Sequence, residues 1–302
     1  MVKIPPYLKK GDTIGIVAPA GYMPFEKMET CVNTLQDWGY TVKLGSTTHS
    51  NSQNYFSGTD EERLNDLQEM LDDKEVHAIL CARGGYGMSR IIDKINFKKF
   101  KKAPKWIAGY SDITVLHAHL LTQYGVASLH APMAAAFNEG ENEFILSLKK
   151  AFEGSAIEYE CFSHQFNKYG EAKGELVGGN LTLLAHIMGT PSEFRTKKRI
   201  LFIEDVGEYL YNIDRMLVQL KRNGKIDKLA GLVVGEFTDN KDTERPYGKR
   251  AEEIIYDQIK EYSFPVCFNF PVSHEKENYA LKIGMEYKLS VTSKVVHLKE
   301  MV

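Results

Sequence analysis

A chain of 302 residues exceeds the size at which one hydrophobic core usually stops growing, so two domains are expected. Hydrophobic residues at 43% and charged residues at 26% are ordinary for a soluble globular protein. A formal net charge of -2 gives no electrostatic reason to expect nucleic acid or an anionic membrane surface as partner.

The first ten residues, Met1 to Lys10, lack the continuous apolar stretch of a secretory signal. No later segment approaches the roughly 20 apolar residues of a membrane span, so a cytoplasmic protein with no membrane partner is expected. The first strand candidate is Thr13-Ile14-Gly15-Ile16-Val17-Ala18, ended by the turn signal Pro19-Ala20-Gly21. A helix from about Glu26 to Trp38 and a strand at Thr41 to Leu44 follow. Leu64, Leu67, Met70 and Leu71 then make a helical stripe within Glu61 to Leu71. Val76 to Ala82 reads as a buried strand, and it leads into Arg83-Gly84-Gly85-Tyr86-Gly87. Trp106-Ile107-Ala108-Gly109 is another strand, followed by a helix from Asp112 to about Tyr124. This β-α alternation predicts a parallel sheet with helices on both faces.

Between about Gly154 and Gly174 the chain turns polar and reads as irregular, which places the domain boundary there: residues 1–160 form one domain and 170–302 the other. Strands are expected at Ile200 to Ile203, Gly231 to Phe237 and Val266 to Phe270, with helices near Ile213 to Lys221 and Ala251 to Glu261. Thr238 to Lys249 is charged and reads as an exposed loop, and Tyr287 to Thr292 with Val295 to Lys299 reads as a terminal hairpin. Cys31, Cys81, Cys161 and Cys267 stand far apart with no C-x-x-C pair, so zinc and redox-motif readings both fail and no cofactor is expected. Cys81 and Cys267, in apolar strands, read most simply as core residues.

Three strand ends carry the chemistry. In Gly109-Tyr110-Ser111-Asp112 a strand hands over to a helix, where a sharp turn exposes a hydroxyl beside free backbone N–H groups. The stretch is not a G-x-S-x-G elbow, because Ile113 holds the second glycine position; on these residues alone, Ser111 or Asp112 reads more simply as a helix cap. The loop Arg83 to Gly87 leaves its strand at the same sheet edge, so an N–H of Gly84 or Gly85 is placed to complete an oxyanion hole with that of Asp112; a tight structural turn serves equally well. Arg83 is a candidate for a substrate carboxylate, although a surface salt bridge is simpler. Glu204 and Asp205 end an apolar strand and, by alternation, face opposite ways, so one of them is available to orient a histidine. His274, after Pro271-Val272-Ser273, is the candidate base, with His130 in reserve; by itself it reads as a solvated loop residue. His117 and His119, two apart on a helix, make a poor metal pair.

These segments together resemble the LD-carboxypeptidase family of serine peptidases, also called the muramoyltetrapeptide carboxypeptidase or microcin-immunity family. The resemblance rests on Gly11 to Pro19, Arg83 to Gly87, Gly109 to Asp112, Gly178-Gly179-Asn180-Leu181, Glu204-Asp205-Val206 with Ile213 to Leu217, and Val272-Ser273-His274. Ala131 departs from it, since relatives often have glycine in the His-Gly-Pro-Met segment. The resemblance implies a flavodoxin-like α/β domain followed by a smaller swivelling α/β or β-rich domain. It maps the nucleophile onto Ser111, the acid onto Glu204 and the base onto His274, with oxyanion donors from the backbone of Gly85 and Asp112. Arg83, Gly84 and Tyr86 become candidates for substrate binding. The implied reaction removes the terminal D-alanine of a murein tetrapeptide in cell-wall recycling, without a metal, in a homodimer. Two alternatives stay open: hydrolysis of the amide in microcin-type aminoacyl-nucleotide analogues, and a non-catalytic muropeptide-binding protein.

Overall fold

Apolar runs flanked by turn residues become strands in the computed structural model, which describes residues 2–301. The chain forms two compact units, one running to Ser155 and including Tyr279–Lys282, the other comprising Ala156–Asn278 and the residues from Ile283 onward.

In the first unit β1 (Thr13–Val17), α1 (Glu29–Asp37), β2 (Thr41–Leu44), α2 (Asp60–Asp72) and β3 (Val76–Cys81) follow one another. Short helices α3 (Met88–Ile91) and α4 (Lys98–Lys102) lead to β4 (Trp106–Gly109), α5 (Thr114–His119), β5 (Ser128–His130) and α6 (Glu143–Phe152). Parallel pairing gives the order β2-β1-β3-β4-β5, the flavodoxin-like arrangement. Ile14, Ile16, Ile79, Leu80 and Ile107 are wholly buried, as strands of a parallel sheet covered on both faces must be. Helix α2 starts at a capping box: the Thr59 hydroxyl accepts from the Glu62 N–H at 3.1 Å, and the Glu62 carboxylate accepts from the Thr59 N–H at 2.7 Å. Its buried Leu67, Met70 and Leu71 are part of the stripe expected from the sequence. Because the strands are parallel, β1, β3 and β4 all end at one edge, beside the β1/β3 point where strand order reverses and where such sheets bind ligands.

The second unit contains β6 (Glu158–Phe162), β7 (Gly170–Asn180), α7 (Leu181–His186), β8 (Ile200–Val206), α8 (Leu210–Arg222), β9 (Gly231–Thr238), α9 (Ala251–Ile259) and β10 (Val266–Cys267). The chain then contributes β11 (Leu281–Ile283) beside β5, where the Ala280 N–H donates to the Ser147 hydroxyl at 2.9 Å and Lys282 donates to the Ser155 carbonyl at 3.0 Å. β12 (Glu286–Val291) and β13 (Val295–Glu300) form the antiparallel hairpin expected at the end of the sequence.

The second sheet has the order β10-β9-β8-β7-β12-β13-β6. β7 serves both parts of it, pairing antiparallel with β12 through Gly170–Glu175 and parallel with β8 through Leu176–Asn180. β6 and the start of β7 lie where the sequence suggested irregular chain. They are exposed strands whose polar residues face water, with Glu158, Glu160 and Phe162 all exposed, so composition resembled a loop. Conversely, the strand expected over Val266 to Phe270 stops at Cys267, because the next N–H, of Phe268, donates to the Asn167 side chain at 2.8 Å.

The two edges of this sheet meet. Lys168, in the link between β6 and β7, exchanges two backbone hydrogen bonds of 3.0 Å with Val266 of β10, and the sulfurs of Cys161 on β6 and Cys267 on β10 lie 3.9 Å apart. A Cβ on Gly231 of β9 would come within 3.2 Å of Leu289 on β12 and Ala172 on β7, so the interior of the curled sheet is closely filled.

Candidate active site

Ser111 sits one residue beyond the extended Tyr110 that follows β4, with φ at +61°. Left-handed backbone is costly for a residue with a Cβ, about 1–3 kcal/mol, and is retained where surrounding structure imposes it. Helix caps have extended backbone and a side chain accepting from the first turn; neither holds for Ser111, and the N-cap positions at this turn are Tyr110 and Ile113, without side-chain capping bonds. The turn Ser111–Ile113 then leads straight into α5.

Three neighbours hold this elbow. A Cβ on Gly109 would come 3.0 Å from Ile113 and 3.1 Å from Cys81, so the strand end passes the turn at close range. The Gly109 carbonyl accepts from His117 Nε2 at 2.8 Å, within the same unit and fully buried. Burial pushes the His117 imidazole down to about 4, which keeps it neutral and fixes the proton on Nε2. Asp112 is also buried; its carboxylate accepts from the Met88 N–H at 2.7 Å, tying the elbow to the glycine loop, and burial pushes its pKa up to about 6.

The glycine loop approaches Ser111 so closely that side chains would collide. A Cβ on Gly84 would lie 2.8 Å from the Ser111 Cβ, 3.1 Å from its hydroxyl oxygen and 3.2 Å from the Asp112 nitrogen. Gly85 has φ at +97°, and a Cβ there would meet the Tyr55 hydroxyl at 2.9 Å. Arg63, fully buried on α2, reaches the Pro19 carbonyl at 2.6 Å, the Gly87 carbonyl at 3.1 Å and the Gly58 carbonyl at 3.3 Å, and it pairs with Asp60. One guanidinium therefore fastens the end of β1 to the end of the glycine loop. Arg83 is exposed and donates to the Tyr22 carbonyl at 2.5 Å. Tyr86 is 44% exposed, with its ring 5.9 Å from that of Phe56.

Glu204 and His274 meet within the second unit. His274 Nδ1 donates to Glu204 Oε2 at 2.7 Å, and the carboxylate is fully buried. Burial alone lowers the imidazole pKa, but the charge and hydrogen bond of Glu204 outweigh it and the net shift is upward. A β-bulge builds this position. Ile203 pairs with Val234 and Asp205 with Phe237, so Gly235 and Glu236 of β9 together oppose Glu204. A Cβ on Gly235 would collide with the Val272 carbonyl and come 3.1 Å from the Glu204 Cβ, so only glycine lets the His274 loop pass here. The loop is pinned on both sides: Phe270 N–H donates to Val234 at 3.0 Å, and Glu236 N–H donates to Val272 at 3.1 Å. Ser273 accepts from the Glu275 N–H at 3.0 Å and donates to the Glu277 carbonyl at 3.0 Å.

Asp205 has a different task. Its carboxylate accepts from Asn180 Nδ2 at 2.8 Å, from the Thr182 N–H and hydroxyl at 2.9 Å each, and from the Val206 N–H at 2.9 Å, which organises the start of α7. The fold thus brings Ser111, Asp112 and Gly84 to Gly85 together in the first unit and Glu204 with His274 in the second. Arg63, His117 and Gly235 were not selected from the sequence as supports. Nothing local in the chain marks them: Arg63 and Gly235 meet backbone remote in sequence, and the His117 contact with the Gly109 carbonyl, eight residues upstream, exists only once the Ser111 turn is formed.

A buried carboxylate holding imidazole Nδ1–H makes Nε2 the basic nitrogen, the arrangement of a general base for a hydroxyl nucleophile. The family model for the LD-carboxypeptidase N-terminal domain matches residues 14–131, and that for the LD-carboxypeptidase C-terminal domain matches residues 173–289. The chain is 38% identical over 295 residues to a probable murein peptide carboxypeptidase of Bacillus subtilis, covering 96% of this chain and 92% of that protein. The crystal structure of muramoyltetrapeptide carboxypeptidase from Oxalobacter formigenes superposes with a TM-score of 0.86 at 29% identity, over 96% of this chain and 99% of that one. The microcin C7 self-immunity protein MccF, at 22% identity, shares the fold with a TM-score of 0.87 over 100% of this chain and 99% of its own. On the identity and coverage of the Bacillus relative and the two domain matches, this chain belongs to the LD-carboxypeptidase family.

Proposed function

We propose that the chain is a serine LD-carboxypeptidase that removes the terminal D-alanine from murein tetrapeptides, with Ser111 as nucleophile, His274 as base and Glu204 as the acid that orients it. The buried 2.7 Å bond between His274 Nδ1 and Glu204 Oε2 carries this reading, because a wholly buried carboxylate with an imidazole partner is a costly arrangement outside a site that uses it. The left-handed backbone at Ser111 supports it from the other unit.

In this mechanism Ser111 Oγ attacks the carbonyl of the diamino acid's L-centre while His274 Nε2 takes the hydroxyl proton. The charge of Glu204 stabilises the imidazolium, and the backbone N–H groups of Gly85 and Asp112 hold the oxyanion. His274 then gives its proton to the leaving D-alanine amine. Water, deprotonated by the same imidazole, hydrolyses the acyl-enzyme and frees Ser111. Arg83, Gly84 and Tyr86, on the loop beside Ser111, are assigned to the substrate. The reading includes a cytoplasmic place in cell-wall recycling and a homodimer.

The test is release of D-alanine from a murein tetrapeptide by the purified protein, with Ser111→Ala as the control. The expected result is release by the wild type and loss of at least about a thousandfold in the variant, with an unchanged circular dichroism spectrum. Full activity of Ser111→Ala removes the nucleophile from the mechanism. Binding without release identifies a muropeptide-binding protein, and cleavage of an aminoacyl sulfamoyl nucleotide in place of the tetrapeptide identifies the microcin-type reaction.

A further inference from the structure

Cys161 and Cys267 are remote in sequence and lie on β6 and β10, opposite edges of the second sheet, yet the curl of that sheet brings their sulfurs to 3.9 Å. The backbones on either side are held in place. Lys168 and Val266 exchange two hydrogen bonds of 3.0 Å, the Asn167 side chain accepts from the Phe268 N–H at 2.8 Å, and the rings of Phe166 and Phe268 are 5.9 Å apart. A disulfide requires an S–S separation of about 2.05 Å, so the sulfurs have about 2 Å left to close.

The two thiols also differ in the way such a pair requires. Cys161 is partly exposed, and the hydrogen bond from Cys267 lowers its pKa against the opposing effects of burial and Glu160. Cys267 is buried, and its pKa is raised by that same bond and by burial. Cys161 is thus the more accessible and more acidic thiol, and Cys267 the resolving thiol beside it. Cys31 and Cys81 are buried in the first unit, and burial raises the pKa of both, that of Cys81 to about 12.

We propose that Cys161 and Cys267 are a reversible redox pair whose disulfide staples β6 to β10 and closes the second sheet covalently. The oxidant is a peroxide. The Cys161 thiolate attacks one oxygen of hydrogen peroxide, the O–O bond breaks, and the departing hydroxide takes up a proton to leave as water. Cys161 is then a sulfenic acid. The Cys267 sulfur attacks it, the S–O bond breaks, and the hydroxyl leaves with the Cys267 proton as a second water. The peroxide is reduced by two electrons and the two thiols are oxidised to one disulfide, which a dithiol reductant reverses. The staple lies on the strand that runs directly into the His274 loop, so it rigidifies the unit that holds the Glu204–His274 pair.

The full chain is treated with hydrogen peroxide, its remaining thiols are alkylated in denaturant, and it is digested without reduction for mass spectrometry. The expected product is one linked peptide pair containing Cys161 and Cys267, with two of the four thiols lost and both restored by dithiothreitol. Closing so long a loop is expected to raise Tm by about 5 °C or more, a rise that is absent in Cys161→Ser. Oxidation of Cys161 to the sulfinic acid with Cys267 still alkylatable overturns the proposal, as does loss of two thiols in Cys161→Ser. A linked protein with unchanged Tm overturns the staple. The linked peptide is read in the unaltered chain, so this outcome does not depend on how the variant folds.

Discussion

His274 is held by opposing forces, and their balance sets a measurable pH dependence. Burial favours the neutral ring, while the fully buried Glu204 carboxylate at 2.7 Å favours the imidazolium and prevails. A base must be neutral to accept a proton. In the proposed mechanism kcat/KM therefore falls as pH drops through a pKa above the ordinary histidine value of about 6.5. Glu204→Gln keeps the hydrogen-bonding shape but removes the charge, which leaves burial opposed only by the smaller effects of the Asp205 and Glu275 carboxylates. The acidic limb is expected to move to lower pH, with kcat down by on the order of 10³–10⁴. A pH–rate profile of wild type and variant checks this; an acidic limb that stays in place would show that Glu204 does not tune the base.

At the scale of elements, the site is made by turns that let backbones pass at close range. The glycine loop after β3 presses Gly84 against Ser111, and a Cβ there would meet the Ser111 Cβ at 2.8 Å and the Asp112 nitrogen at 3.2 Å. Gly84→Ala is therefore expected to push the hydroxyl from its place while leaving the parallel sheet intact. A loss on the order of a hundredfold in kcat follows from a displacement of about 1 Å, with little change in urea midpoint. Equal loss of stability and activity would instead mark Gly84 as a folding position. The glycine loop and the strands leading to Ser111 and Glu204 were legible in the sequence because buried strands leave continuous apolar runs and their ends leave glycine and polar punctuation, whereas the strand before His274 stops at Cys267 and leaves the histidine in a loop. The bulge opposite Glu204 was not legible, since Gly235 looks like any strand glycine until Val272 is seen passing over it. β6 was hidden for another reason: an edge strand with one wet face carries the composition of a loop.

At the scale of the whole molecule, two buried groups near the elbow give stability opposite pH slopes. The His117 pKa is lowered from 6.5 to about 4, so its contribution is present above pH 6.5 and is lost as pH falls through about 4. The Asp112 pKa is raised from 3.8 to about 6, so its contribution is present below pH 3.8 and is lost as pH rises through about 6. Over the interval where both act, the two slopes cancel in large part. His117→Gln retains a donor toward the Gly109 carbonyl but cannot titrate. The stability difference between wild type and this variant is expected to shrink by about 3 kcal/mol between pH 7 and pH 4, about 1.4 kcal/mol per unit. Urea unfolding across that range measures it, and a constant difference would mean that His117 is not held neutral by the fold.

The sequence by itself determined the fold class, the segments that carry Ser111, Glu204 and His274, and the family, because hydrophobic periodicity and local turn chemistry are written in consecutive residues. The tertiary structure alone decided what those ends touch. It replaced the helix-cap reading of Ser111 with a left-handed elbow, gave Glu204 to His274 and Asp205 to α7, and set Arg63 and His117 on carbonyls of the Ser111 side. It also turned two cysteines that are distant in the chain into neighbours. The physical reason is that what a side chain touches depends on how the chain is bent, registered and closed in three dimensions, and a one-residue slip in register would redirect every side chain on a strand.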